Sequence, residues 1–182
     1  KSINGVLFSR DGKTLLCYPG GKYGPYTVPE GTEVIAYGAF RGVHNLTSIN
    51  FGTTVRTIGN YAFSYCIGLR ELTLPANVTL VEDSAFRSCT NLKSITFQNP
   101  SVILESGGVF AECDTLETVT LPSKITEIPG YLFYGCARLR NITIPSPARS
   151  IGSSAFYNCS GLTSVVIGNS VASIGSSAFY NC

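Results

Sequence analysis

The chain has a single histidine, His44, and only 13% of its 182 residues are charged, with 13 Lys and Arg against 11 Asp and Glu. One histidine and no Cys-x-x-Cys pair supply no ligand set for a structural zinc, so no metal or cofactor is expected. The net charge of +2 contains no basic run, and the concentrated cationic footprint of nucleic acid binding is missing. No window approaches the roughly 18 consecutive apolar residues of a membrane-spanning helix. No stretch carries the roughly ten to twelve residues of 3.6-period pattern that a full helix needs. Gly107-Gly108 lacks the Lys-Ser/Thr that follows in a phosphate-binding loop.

What is present is one unit, repeated. Phe40, Phe63, Phe86, Phe110, Phe133, Phe156 and Phe179 recur at intervals of 23, 23, 24, 23, 23 and 23 residues. Three residues after each comes Cys66, Cys89, Cys113, Cys136, Cys159 or Cys182, with Val43 the exception, and six after comes Leu46, Leu69, Leu92, Leu116, Leu139 or Leu162. Apolar residues follow at two further places, Ile49/Phe51 through Val165/Ile167, and a second apolar pair such as Val55/Ile58 or Val78/Val81 leads to the next Phe. Residues 150–159 and 173–182 are identical, which suggests recent duplication. The Leu-x-x-Ile-x-Phe segment alternates with period two and predicts one strand per coil; Ala-Phe-x-x-Cys-x-x-x-Leu has room for one short helical or 3₁₀ turn. A coil alone cannot bury its apolar side, so coils must stack.

This periodicity resembles leucine-rich repeats. More narrowly, Leu139-Arg140-Asn141-Ile142-Thr143-Ile144-Pro145 followed by Ser150 to Cys159 looks like the BspA-type repeat of bacterial and protist surface proteins. The resemblance implies a right-handed stack of about seven coils over residues 26–182, each of about 23 residues with one short parallel strand, and an extracellular or cell-surface setting whose signal and anchor lie outside these residues. The place of the turn asparagine in common leucine-rich repeats holds Thr54, Asn77, Pro100, Lys124, Pro147 and Ser170, so no asparagine ladder is expected. Residues 1–25 read as an N-terminal cap: two apolar runs, Gly5 to Phe8 and Thr14 to Tyr18, flank Asp11-Gly12, a hairpin signal. The sequence stops at Cys182 in mid-unit, so a repeat array truncated at its C-terminus is expected. Its last coil is expected to be unusually exposed near Phe179 or to contact a neighbour.

Successive cysteines at one place in the coil should have parallel Cβ vectors, whereas a disulfide needs them turned together at about 3.8 Å. They read as buried, reduced thiols acting as small hydrophobes, a reading that Val43 supports. His44 reads as a solvated turn residue without partners for a Ser-His-Asp or Cys-His set, and Glu82-Asp83 and Glu112/Asp114 as solvated corner charges. The chain is therefore expected not to be an enzyme.

What remains is surface. Two outward ladders should face solvent on the strands: Ser48, Glu71, Ser94, Thr118, Asn141, Ser164, and Asn50, Thr73, Thr96, Thr120, Thr143, Val166. Arg70, Lys93, Glu117 and Arg140 flank them. Thr suits any exposed strand position; read functionally, this is a hydroxyl-rich face with an Arg70/Lys93/Glu71 cluster, suited to a protein or glycan partner, a host matrix protein included. Tyrosines around each Phe, among them Tyr37, Tyr61, Tyr65, Tyr131, Tyr134, Tyr157 and Tyr180, either cover coil corners or form a second contact surface. Two functions stay open, an adhesive binding module at the cell surface or secreted from it, and a passive spacer that presents another domain. The single 24-residue interval predicts a bulge near Asn99-Pro100, with Leu104 turned inward and Glu105 outward.

Overall fold

The computed structural model describes residues 1–182 as a stack of about seven coils and contains no helix. Each coil carries two short strands where the sequence predicted one. The longer series is β4 (Gly24–Thr27), β6 (Leu46–Asn50), β8 (Glu71–Leu74), β10 (Ser94–Phe97), β12 (Thr118–Thr120), β14 (Asn141–Ile144) and β16 (Ser164–Ile167). The second series has two residues per strand: β5 (Val34–Ile35), β7 (Thr57–Ile58), β9 (Leu80–Val81), β11 (Ile103–Leu104), β13 (Glu127–Ile128), β15 (Ser150–Ile151) and β17 (Ser173–Ile174). From β7 onward each ends on the second member of a second apolar pair, as β7 does on Ile58 of Val55/Ile58 and β9 on Val81 of Val78/Val81. Each is too short to carry a readable period, and it becomes a strand because the neighbouring coil presents its two equivalent residues in register.

The Phe corner forms no helical turn. The residues two before and two after each Phe adopt left-handed backbone, among them Tyr61 (φ 54°), Tyr65 (φ 62°), Ser84 (φ 53°) and Ser88 (φ 57°). Alternating hands aim every second N–H along the stack instead of back into its own turn. Tyr61, Phe63 and Tyr65 donate to the carbonyls of Asp83, Ala85 and Arg87 in the next coil at 3.1, 2.7 and 2.9 Å. The corner is thus a third ladder between coils, made from backbone that a helix would have used internally.

Inside, 47 residues form one continuous core. The Phe rings stack, from Phe40–Phe63 at 4.6 Å and 12° to Phe156–Phe179 at 5.2 Å and 4°. Each such pair adds about 0.5–1.5 kcal/mol beyond the area it buries. At the N-terminal end, β1 (Ser2–Ile3), β2 (Val6–Phe8) and β3 (Thr14–Cys17) are antiparallel, and Gly12 supplies the positive φ of 88° in the β2–β3 turn. β3 pairs parallel with β5, and Tyr18 stacks on Phe40 at 4.8 Å, so this hairpin lies against the first coil. In the last coil Val166, Ile167, Ile174 and Tyr180 are exposed, an apolar end rather than a polar one. Of the positions where common leucine-rich repeats carry the turn asparagine, Thr54 and Asn77 bond back to the previous coil, Oγ1 to Thr32 O at 2.8 Å and Nδ2 to Val55 O at 2.6 Å. The others form no continuous ladder with them.

In the 24-residue interval Leu104 is buried and Glu105 exposed, as expected. The bulge is more complex than predicted. The turn at Asn99-Pro100 is one residue longer than its counterparts, closed by Ser101 N donating to Asn99 Oδ1 at 2.9 Å, but the next step, Val102 to Leu104, is one residue shorter. Ile103 and Leu104 therefore regain the normal register against Leu80 and Val81. The net extra residue sits in Ser106-Gly107-Gly108, where Gly107 (φ 114°) and Gly108 (φ 94°) carry the chain around the enlarged corner. Glycine absorbs such an insertion at least cost.

Candidate functional site

The longer strands alternate buried and exposed residues, as β8 and β14 do in full. Register places Glu71 beside Ser94 and Ser94 beside Thr118, Thr73 beside Thr96 and Thr96 beside Thr120, and pairs Asn141 with Ser164. Both ladders therefore exist as rows. Ser48, Asn50, Glu71, Thr73, Thr96, Thr118, Thr120, Asn141 and Thr143 are exposed, and Ser94 is half-buried. Asn50 is partly committed, since its Oδ1 accepts from Gly52 N at 2.9 Å.

Arg70, Lys93 and Arg140 are exposed at the leading edge of the rows. Neither Arg70 nor Lys93 pairs with Glu71; the two ion pairs of the chain are Lys13–Glu33 and Arg87–Glu112. The basic side chains of the face are thus uncommitted. The face is not one uninterrupted sheet: β8, β10 and β12 form one, β14 and β16 another, and β4 and β6 a third. Between the unpaired β12 and β14 lies a cleft of about 420 Å³ lined by Glu117, Thr118, Thr120, Asn141 and Thr143 among others. Four of the sequence-predicted residues, Thr118, Thr120, Asn141 and Thr143, are brought together there, while Ser48 and Asn50 stand apart on β6.

The cysteines do more than fill space. All seven are free thiols, and Cys66, Cys89, Cys113, Cys136 and Cys159 are buried. Each buried Sγ–H donates to the carbonyl of the Phe in the preceding coil, from Cys66 to Phe40 O at 3.0 Å through Cys159 to Phe133 O at 3.2 Å. Cys182 repeats the contact on Phe156 O at 3.2 Å. Val43 concealed this role in the sequence, because it satisfies the packing without the donor. Burial pushes Cys66, Cys113 and Cys159 up to about 12, which suits a structural thiol and not a nucleophile.

The corner carboxylates are not simply solvated. Glu82 accepts from Asn60 N and Nδ2 at 3.0 and 3.1 Å, and Glu105 from Asp83 N at 3.2 Å, so these side chains tie neighbouring coils. Glu112 is half-buried and takes Arg87 Nη2 at 2.5 Å and Ser88 Oγ at 2.7 Å. Burial alone would raise its carboxyl, but these bonds hold it below the usual range. Asp114 is raised by burial and then by the charge of Glu112. His44 is exposed. Of the tyrosines, Tyr134, Tyr157 and Tyr180 stack along one corner at 5.0 and 4.9 Å, and Tyr37 meets Tyr61 edge-on with Arg41 above the Tyr61 ring.

Residues 22–136 and 106–182 match the BspA type leucine rich repeat region, in six copies. No curated protein matches the chain. Among solved structures, the leucine-rich repeat protein of T. pallidum is 28% identical with a TM-score of 0.84, over 97% of this chain and 85% of its own. A leucine-rich repeat protein from Eubacterium ventriosum is 28% identical with a TM-score of 0.90, over 99% of this chain and 49% of its own. A leucine rich cell surface protein from Faecalibacterium prausnitzii is 28% identical with a TM-score of 0.63, over 91% of this chain and 38% of its own. The chain thus spans less than half the length of the latter two. None of these similarities points to an enzyme family, and no helix is long and apolar enough to cross a membrane.

Proposed function

This chain belongs to the BspA-type leucine-rich repeat family, and from that premise we propose that it is a non-catalytic binding module, displayed at the cell surface or secreted, that engages a protein or glycan through its outward strand face. The observation that carries the proposal is the uncommitted state of that face. Arg70, Lys93 and Arg140 are exposed beside rows of hydroxyl side chains, and no ion pair occupies them. Strand pairing fixes the backbone that carries these groups, and their exposed charges favour encounter with a complementary partner. The likeness to a cell surface protein from F. prausnitzii supports the location.

A passive spacer is the competing function, and the continuous core of 47 residues would serve it equally well. The two separate on binding. The whole chain is tested against immobilised matrix proteins and glycans by biolayer interferometry, beside a variant carrying Arg70→Ala and Lys93→Ala. A binding module loses affinity by about tenfold or more in that variant. Binding that is unchanged by the double substitution excludes the strand face, and no binding at all by a chain that is folded favours the spacer.

A further inference from the structure

The one irregular interval of the repeat opens a notch at the Phe corner. Arg87, Gly107, Ala111, Glu112, Tyr131 and Tyr134 surround a cavity of about 240 Å³. Two glycines make the space. A Cβ on Gly107 would collide with the Asp83 carboxylate, and one on Gly108 would lie 2.8 Å from Ala111 Cβ and 3.3 Å from Tyr131 O. The enlarged corner can therefore fold only with bare backbone here, and it leaves the side chains on either side spread apart.

Those side chains are held at a conformational cost. Glu112 and Tyr131 both have φ of 60°. The place of Glu112 is filled in other coils by Gly42, Tyr65, Ser88, Gly135, Asn158 or Asn181, and that of Tyr131 by Gly38, Tyr61, Ser84, Gly108, Ser154 or Ser177, so that apart from the corner of Phe63 the other coils use glycine or a small polar residue there. Burial does not offset the strain, since Tyr131 is 48% exposed. The corner ladder imposes this backbone in every coil, and the large side chains held in it are Tyr61, Tyr65, Glu112 and Tyr131. Here two of them line one cavity.

We propose that this notch binds a single pyranose ring of a glycan. The choice of ligand follows from charge and shape. Arg87 and Glu112 neutralise each other, through Nη2 to Oε1 at 2.5 Å and Nε to Oε2 at 3.4 Å, with Ser88 Oγ fixing the carboxylate at 2.7 Å. An ion of either sign would meet a like charge beside the opposite one and gains little. A neutral ligand with adjacent hydroxyls, each both donor and acceptor, matches the guanidinium N–H groups and carboxylate lone pairs left free. The apolar C–H side of a sugar ring fits the open ring of Tyr131, whose centroid is 6.0 Å from that of Tyr134 at 39°. The volume is below the roughly 300–1,000 Å³ that encloses a drug-sized ligand, which limits the fit to one ring with the rest of the chain outside. The notch shares no residue with the strand-face rows, so the two sites stand or fall separately.

Saturation-transfer NMR on the whole chain, with the methyl glycosides of glucose, galactose, mannose and N-acetylglucosamine as probes, tests the site. At least one probe receives saturation from tyrosine rings, with a dissociation constant on the order of 1 mM, as expected for so small a ligand. Tyr131→Gly removes the ring while relieving the left-handed strain; it weakens binding by about tenfold or more without lowering the melting temperature. Glu112→Gln keeps the shape but breaks the charge pair and weakens the same probe, whereas Arg70→Ala with Lys93→Ala leaves it unaffected. The proposal is overturned if no probe receives transfer at about 50 mM, or if transfer persists unchanged in the folded Tyr131→Gly variant.

Discussion

Raising the pH should unfold this solenoid through its buried thiols. Burial pushes Cys66, Cys113 and Cys159 up to about 12 and lifts Cys89 and Cys136 well above the ordinary thiol value of 9.0. The folded state therefore keeps all five protonated at a pH where the unfolded chain has lost those protons. Stability from this source is fully present below about pH 8 and falls as pH rises above 9, because the unfolded state then binds fewer protons. For a shift from 9 to 12, each of Cys66, Cys113 and Cys159 costs about 2 kcal/mol at pH 10.5, so these three together cost about 6 kcal/mol, and Cys89 and Cys136 act in the same direction. At about 0.05–0.15 kcal/mol per residue, a chain of 182 residues has about 9–27 kcal/mol in total, so the loss is a large part of it. The assay is urea unfolding followed by circular dichroism at pH 8, 9, 10 and 10.5. The midpoint should fall progressively above pH 9, and Cys89→Val, which copies the residue at Val43, should reduce the dependence by about 1.4 kcal/mol per pH unit. A midpoint that is the same at pH 8 and pH 10.5 would refute the reasoning, since it would mean that the thiols ionise equally in both states.

Thiol counting offers an independent check. All seven cysteines react with Ellman's reagent in denaturant, while natively only the exposed Cys17 and Cys182 react promptly; the protected thiols are slower by about 10³ from ionisation alone, and fewer than seven in denaturant would reveal a disulfide. Gly107→Ala forces a side chain into left-handed backbone and against Asp83. It should cost about 1–3 kcal/mol by thermal or urea unfolding, and a neutral outcome would show that the corner relaxes freely. Ser177→Gly relieves an exposed residue at φ 56° and should stabilise by about 0.5–1 kcal/mol; a lower melting temperature would contradict the assigned backbone.

The core was legible because it repeats. Phe, Leu and Cys at fixed offsets could be assigned to the interior without knowing the path of the chain, and the outward rows from Glu71 to Thr143 followed from strand alternation. The second strand series was not legible, since two residues such as Leu80–Val81 show no period and pair only because the neighbouring coil repeats them. The left-handed corners left a trace that could have been read: Gly38, Gly42, Gly108 and Gly135 stand two residues from a Phe. Tyr61, Tyr65, Glu112 and Tyr131 at equivalent places hid it, because large side chains rarely signal positive φ. The thiol donors were hidden for a different reason. A sulfur–hydrogen bond and a hydrophobic contact require the same burial, so composition cannot distinguish them.

The irregular interval shows why the corner ladder matters. Repeat arrays hold together through nearest-neighbour contacts, so the stack is as strong as its weakest junction. Around the enlarged corner, β11 does not pair with β13, nor β12 with β14, and the Phe110–Phe133 spacing of 5.9 Å is the widest in the stack. Both strand series are interrupted where the repeat slips. The Phe corner is not: Gly107, Phe110 and Glu112 still donate to the carbonyls of Gly130, Leu132 and Tyr134. Backbone continuity therefore passes from the strands to the corner at this junction. That places the strain of Glu112 and Tyr131 on the ladder that joins the two halves, and it is the reason these residues can be fixed there while the surrounding strands separate.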